Sequence, residues 1–268
     1  MSCAVVTTRD GARAILDHAT GEVMHPVVGP AIEATRLYCE PARLASRLSR
    51  PDVGPLVLLD VGLGAGSNAI AAWKISAQCS EGARRLEIVS FDRSREALAL
   101  ALAHPNDFGF AGAAGDAART LLATGCHDSG RTRWRLVCGQ LPDVLALEPA
   151  ASADVVFWDP FSPRANPELW TIAAFTALRR LCRAGATVHT YSGATAVRSA
   201  LLLAGFAVGV GEATGEHKAA TVAAVDLEDL ACPLDRRWLA RLGRSTAGFP
   251  ADAPADALAR VAALPQFR

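Results

Sequence analysis

The chain has 268 residues, 51% of them hydrophobic, so it can bury the core of one sizeable domain with short additions. Its 27 basic residues balance 27 acidic ones, which excludes a globally basic nucleic-acid binder but leaves room for a local arginine face. No apolar run approaches the roughly 20 residues that cross a bilayer, and MSCAVVTTRD lacks the basic-then-apolar pattern of an export signal, so a cytoplasmic protein is expected.

Residues 5–17, VVTTRDGARAILD, read as two short strands around Asp10-Gly11, a hairpin turn signal. Residues 29–47 read as a helix, and SRPDVGP marks a boundary. PLVLLDV is then a continuous apolar strand, followed by the helix SNAIAAWKISAQ with a Ser-Asn cap. LEIVSFD is a second strand, and SREALALALAH a second helix with Ser94 as its cap. WRLVCG, ADVVFWD and ATVHTYS supply three more strands, with TIAAFTALRRLCR and TAVRSALLLAG as intervening helices. Short apolar strands separated by helices predict a mostly parallel sheet covered on both faces. FAVGVGE and AATVAAVD follow with no helix between them, as an antiparallel pair joined through Ala213–Lys218. The segment 105–133 is either a surface insertion or partly helical. The tail from Pro233 carries one helical piece, 255–264, and is expected to pack on the surface.

The seven cysteines are scattered without metal-ligand or redox spacing, and the six histidines form no ligand cluster. Reduced thiols and no bound metal are the expectation.

The first strand ends in VLLDVGLGAGSN. Gly62, Gly64 and Gly66 allow backbone to approach a ligand at the carboxyl end of a parallel sheet, and the next helix offers free N–H groups. The loop lacks the Gly-Lys-Ser/Thr ending of a phosphate loop, and Ser67 stands where a dinucleotide fingerprint wants its third small residue. An acid followed by G-x-G-x-G suits S-adenosylmethionine. Asp92, ending the second strand, fits a ribose-binding acid or a helix cap. Gln140 ends the third strand, where many methyltransferases carry an Asp on the adenine amino group, and its amide oxygen can accept the same hydrogen bond.

The fourth strand breaks into DPFSPRANPELW, placing Asp159, Phe161, Asn166 and Trp170 at the strand-end crevice. A carboxylate directly after an apolar strand is costly unless solvated or partnered. Methyl transfer to an amine needs a deprotonated, oriented lone pair. Asp159 is the expected catalytic residue, accepting one amine N–H.

TRDGARAIL, GEVMHPVVGPAIEA, LDVGLGAGSNAIAAW, DPFSPRANPELWT and YSGATAVRSALLLAGF resemble, in order, the motifs of the MnmC methyltransferase domain. That bacterial family completes 5-methylaminomethyl-2-thiouridine at the tRNA wobble position. The resemblance covers roughly residues 7–225 and is closest to stand-alone members without the flavin domain. It implies a class I S-adenosylmethionine-dependent methyltransferase, Rossmann-like, with a mostly parallel seven-stranded sheet and helices on both faces. Residues 1–50 would form an N-terminal hairpin/helix extension packing on the active site, 51–232 the methyltransferase domain and 233–268 a tail. By this resemblance Glu33 and Asn68 join Gly62, Gly64, Gly66, Asp92, Gln140 and Asp159 around the cofactor, and His25 borders the pocket. The acceptor would be the primary amine of 5-aminomethyl(-2-thio)uridine, supplied by another enzyme. Met24, Pro26 and Gln140 depart from the family pattern.

For tRNA, the candidates are Arg164 in the catalytic loop, Arg179, Arg180, Arg183, Arg198 and Lys218, with Arg131, Arg133 and Arg135 alternating along a strand start. Phe161, Asn166 and Trp170 complete the expected substrate face. Two other classes share the fold: an aminopropyltransferase acting on a polyamine, which needs an acidic pocket, and a non-catalytic cofactor-binding protein.

Overall fold

The computed structural model describes residues 2–8, 11–24, 30–50, 54–212 and 219–268. Three short strands open the chain: β1 (Cys3–Thr7), β2 (Arg13–Asp17) and β3 (Glu22–Met24), an antiparallel sheet in that order. Cys3 faces Asp17 and Thr7 faces Arg13, giving the expected hairpin. Asp10 lies outside the described residues, while Gly11 takes a φ of +82°. The third strand was not expected, because three residues are too few for alternation to register.

The expected helix over 29–47 is broken. It runs as α1 (Pro30–Glu33), a π-helical stretch Ala34–Cys39 and, after a turn, α2 (Leu44–Leu48). Pro41 lacks a backbone donor and Arg43 sits in the left-handed region with φ 50°, so the helix cannot run through.

The remaining elements are β4 (Leu56–Val61), α3 (Ser67–Gln78), β5 (Leu86–Asp92), α4 (Glu96–Ala103), α5 (Ala113–Thr124), β6 (Cys126–Asp128), β7 (Thr132–Cys138), α6 (Asp143–Ala146), β8 (Ala153–Trp158), α7 (Ile172–Leu181), β9 (Cys182–Thr190), α8 (Thr195–Leu203), β10 (Ala207–Val210), β11 (Thr221–Ala224), α9 (Arg236–Leu242) and α10 (Ala257–Ala262). Segment 105–133 therefore holds a helix and a strand. The main sheet has eight strands where seven were expected, in the order β10-β11-β9-β8-β4-β5-β7-β6. The extra strand, β6, pairs antiparallel with β7 at one edge. At the other edge β11 inserts antiparallel between β9 and β10. The 213–218 connection between β10 and β11 lies outside the described residues.

Period-2 alternation sends β4 side chains to two cores. Leu56 and Leu58 pack under α3, α4 and α5 with Leu98 and Leu121, while Leu59 and Val61 pack under α7 and α8 with Phe175 and Leu201. The tail belongs to the second core, a departure from the expected surface packing. Trp238 and Phe267 stack at 6.0 Å, and Val261 is fully buried. Gln266 pairs with Val208 N–H and C=O, covering an exposed strand edge. No helix among the described residues is long and apolar enough to cross a membrane. All seven cysteines are unpaired.

Register sets the site. Val61 pairs with Phe91 on one side and with Trp158 on the other, so Gly62, Asp92 and Asp159 emerge at one level from three adjacent strands. Chain order reverses around β4, the position where open α/β sheets bind ligands.

Candidate active site

The three loop glycines have different causes. Gly62 has a φ of +89°, and a Cβ there would stand 2.5 Å from the Asp159 carbonyl oxygen, so its bareness lets the β4 and β8 ends lie together. Gly64 donates its N–H to Asp92 Oδ2 at 2.8 Å. Gly66 does not line the pocket. It caps α3 in the left-handed conformation in place of the expected Ser-Asn cap, and a Cβ would press on Leu98 and Phe110. Its place is set by core packing, not by a ligand.

Asp92 also accepts the Ser94 N–H at 3.1 Å, and Ser94 Oγ accepts the Glu96 N–H; the N-cap of α4 is Arg95, with no side-chain cap, and not the expected Ser94. Burial raises the Asp92 carboxyl above its usual range, and the hydrogen bonds from Gly64, Ser94 and Arg93 N–H partly offset this. Gly139, Gln140 and Leu141 form the facing wall.

Asp159 is the junction of the site. Tyr38 Oη donates to its Oδ1 at 2.5 Å and Asn68 Nδ2 donates to its Oδ2 at 2.7 Å. Asn68 Oδ1 is left buried without a partner among the described residues. Tyr38 sits on the π-helical stretch, a distortion frequent at functional sites. Burial and the Asp159 charge push the Tyr38 hydroxyl well above its ordinary value, which keeps it a donor. Tyr191, just past β9, donates to the Pro160 carbonyl at 3.1 Å and is pushed up by the same causes. Neither tyrosine was expected from the sequence. The chain has only two, and both line this pocket, a scarcity that was the available signal.

The cavity encloses about 730 Å³, within the range of small-molecule sites. β2 and β3 of the N-terminal sheet form part of its wall through Asp17, Glu22, Val23 and Met24. Glu22 accepts from Ser162 N at 2.9 Å and from the Ser162 hydroxyl, tying that sheet to the loop after β8. Glu33, Phe161 and Asn166 line the cavity. Trp170 does not, contrary to expectation: it is 3% exposed, donates to the Phe161 carbonyl at 2.9 Å and packs edge-on against Phe175 and Tyr191. It shapes the loop from behind. Arg164 is exposed on that loop and outside the cavity wall. His25 and Lys218 lie outside the described residues. Among the described residues, six carboxylates line the pocket (Asp17, Glu22, Glu33, Asp92, Asp159 and Glu168) against one guanidinium, Arg93. Among the described residues no group of His, Cys, Asp and Glu could hold a metal ion.

Most arginines expected on RNA are committed to the fold. Arg198 is 7% exposed and bonded to Thr221 Oγ1 and the Ala220 carbonyl. Arg179 reaches the Gly205 carbonyl and lies over Phe206. Arg180 caps the carbonyls of Leu145, Ala146 and Glu148. Arg183 bonds the Ser152 carbonyl and pairs with Asp154. Arg131 holds the Ala83 and Ser80 carbonyls, and Arg135 pairs bidentately with Glu148. Arg133 stays exposed.

The eight-stranded α/β sheet, its switch-point glycine loop and the carboxylates at its strand ends define a class I S-adenosylmethionine-dependent methyltransferase. Residues 121–226 match the family model described as S-adenosyl-L-methionine-dependent methyltransferase. The chain is 32% identical over 233 residues to the tRNA 5-methylaminomethyl-2-thiouridine biosynthesis bifunctional protein MnmC of Methylibium petroleiphilum, covering 81% of this chain and 34% of that one. It is 33% identical over 209 residues to the MnmC of Ralstonia nicotianae, covering 74% and 29%. The chain thus spans about a third of the length of the curated relatives it matches. In fold it is similar to MnmC2 from Aquifex aeolicus, with a TM-score of 0.74 at 23% identity over 97% of this chain and 84% of that one. It is less similar to spermidine synthase from Thermotoga maritima, with a TM-score of 0.53 at 13% identity over 98% and 81%. Over most of its length the chain is homologous to MnmC, and the methyl donor of this class of methyltransferase is S-adenosylmethionine.

Proposed function

We infer that this methyltransferase acts on the primary amine of 5-aminomethyl(-2-thio)uridine at the tRNA wobble position, giving the 5-methylaminomethyl product. The observation that carries this reading is the Asp159 carboxylate, braced by Tyr38 and Asn68 at the mouth of a pocket rich in carboxylates. An amine is the acceptor such a site favours: it arrives as a cation, and negative charge draws it in. The sequence likeness to MnmC supplies the nucleoside.

The residues present fit the donor. Asp92 would hold the ribose hydroxyls and Gln140 the adenine edge. Glu33, the Gly62–Gly64 backbone and the unpartnered Asn68 Oδ1 suit its polar amino-acid end. Bound there, S-adenosylmethionine supplies a methyl group on a sulfonium, a carbon electrophile. Once the arriving ammonium has released a proton to solvent, Asp159 accepts one N–H of the neutral amine, which fixes the direction of the nitrogen lone pair and stabilises the positive charge that grows on nitrogen as the N–C bond would form and the C–S bond break. Tyr38 and Asn68 hold the carboxylate in plane. Phe161 and Asn166 face the base, and Trp170 holds that loop from behind. Residues 1–50 close the site through Glu22 and Ser162, 51–232 form the methyltransferase domain, and 233–268 complete its second core.

The test uses labelled S-adenosylmethionine and tRNA from a strain lacking this methylation, followed by digestion to nucleosides. Label in 5-methylaminomethyl-2-thiouridine is the expected result; none there, with donor binding intact, refutes the reading. The six-to-one excess of carboxylates also favours a second reading, aminopropyl transfer to a polyamine. Product formed only from putrescine and decarboxylated donor would establish that alternative.

A further inference from the structure

A second concavity lies around the starts of β5, β8 and β9, about 1020 Å³ in volume. Arg36, Arg43, Arg47 and Arg50 enter it from the broken helix, at spacings of seven, four and three residues. Arg36 comes from the π-helical stretch, Arg47 from α2, and Arg43 and Arg50 from the residues just before and after α2, so the break in the helix is what turns all four to one side. Arg84 and Arg183 join them from the starts of β5 and β9, making, among the described residues, six guanidiniums against four carboxylates: Glu40, Asp154, Glu212 and Asp229.

Three of the six arginines are structural. Arg47 donates to the Asp154 and Gly185 carbonyls, both at 2.8 Å. Arg84 holds the Gly54 and Pro55 carbonyls and pairs with Asp154 at 3.8 Å. Arg183 pairs with the same Asp154 at 3.4 Å, and Asp154 also accepts the Val57 N–H. Asp154 is therefore consumed by the groove's own floor. Arg36, Arg43 and Arg50 differ. They are exposed, and their side chains have no hydrogen bond or ion pair among the described residues.

We propose that this arginine groove is a binding surface for the phosphodiester backbone of the RNA substrate. The proposal rests on the tRNA reading above for the identity of the polyanion. Guanidiniums suit phosphates because their planar donors match the oxygens and their hydration is weak. The six carboxylates of the catalytic pocket repel a phosphate chain, so an RNA that offers its base amine there needs its backbone held elsewhere. One helix forms a wall of both cavities: Leu37 and Tyr38 line the pocket, and Arg36 and Glu40 line the groove. Asp154 in the groove and Asp159 in the pocket lie at the two ends of β8, about 16 Å apart along an extended strand, so the RNA must wrap this edge of the domain to engage both.

The experiment measures binding of an unmodified tRNA transcript to the full chain across a salt series. It compares wild type with the triple variant Arg36→Glu/Arg43→Glu/Arg50→Glu and with the single variants Arg36→Gln and Arg50→Gln. Wild-type affinity is expected to fall with salt. Each single variant lowers the log–log slope by about 0.7, and the triple variant by about 2 with at least a roughly tenfold loss of affinity. S-adenosylmethionine affinity and the melting temperature stay at their wild-type values. Equal affinity and slope in wild type and single variants overturn the proposal, as does a wild type that does not bind the transcript or binds only an acidic protein. If tRNA is methylated while the variants bind normally, the groove assignment fails and the methyltransferase reading stands. If the arginines carry the salt dependence but no nucleoside is labelled, the reverse holds.

Discussion

The catalytic pocket and the arginine groove face opposite ends of the same sheet and carry opposite charge. Among the described residues, the pocket gathers six carboxylates around one guanidinium, the groove six guanidiniums around four carboxylates. A formal net charge of zero therefore conceals a charge separation across one helix. The two are also wired differently. In the pocket, donors converge on a single carboxylate, which leaves Asp159 fixed and facing solvent space. In the groove, the floor arginines are spent on backbone carbonyls and the rim arginines are not. Fixed groups orient a small reacting atom, while unspent cations on a rim suit a long polyanion.

The sharpest way to break this contrast is Asp159→Asn. The amide keeps the shape but cannot take up positive charge, and its NH₂ faces a Tyr38 or Asn68 donor. Turnover should fall by roughly 10²–10⁴-fold, with S-adenosylmethionine affinity within about threefold by calorimetry. Near-wild-type turnover would leave the acidic pocket without a chemical role. Gly62→Ala tests the same carboxylate through the backbone. The added Cβ meets the Asp159 carbonyl at 2.5 Å, with the Asp159 carbonyl carbon and Pro160 N also within 3 Å. Overpacking of this kind costs about 1–3 kcal/mol, and the φ of +89° adds strain. A melting temperature lowered by several degrees together with at least a tenfold drop in kcat is expected; unchanged values in both would mean that the loop yields freely.

How far these features could be read in the sequence depended on their range. The strands were legible because runs such as VLLDV and VVFW are apolar without alternation, the mark of strands buried on both faces. Asp159 and Asp92 were legible because each ends such a run. Tyr38 was not: its partner is 121 residues away, and the helix that carries it shifts to a π-helical pattern that no local propensity encodes. The arginines failed for the opposite reason. Arg180 and Arg198 looked like surface charges, but carbonyls at helix ends and loops claimed them, a demand that only the fold reveals. Trp170 lay in the right motif and yet turned behind the loop, because its indole N–H found the Phe161 carbonyl.

Tyr38→Phe separates orienting from packing within the pocket. The ring keeps its contact with Phe157, centroids 5.3 Å apart, and only the donor to Asp159 is lost. A hydrogen bond to a charged group is worth about 1.5–3 kcal/mol, so kcat should fall roughly tenfold or more, with KM within about twofold and little change in melting temperature. A fall in melting temperature without a fall in kcat would make the hydroxyl structural and remove Tyr38 from the positioning of the carboxylate.

The smallest effect tests the layer between the two cavities. His189 is 1% exposed, bonds Thr187 Oγ1 at 3.0 Å and meets Phe157 edge-on. Burial first, and the Arg47 charge second, hold its imidazole down to about 3. Unfolded, the same ring takes up a proton below about pH 6.5. The stability it contributes is therefore complete above that pH and drains as pH falls toward the folded value. In urea unfolding, the stability of wild type relative to His189→Gln should drop by about 0.8 kcal/mol between about pH 7.5 and about pH 6.0. Because Arg47 belongs to the groove, raising salt should blunt that drop slightly and leave most of it, since burial is the larger cause. Parallel pH profiles for the two proteins would mean that the folded ring takes up its proton as readily as the unfolded one, so that burial does not hold it neutral.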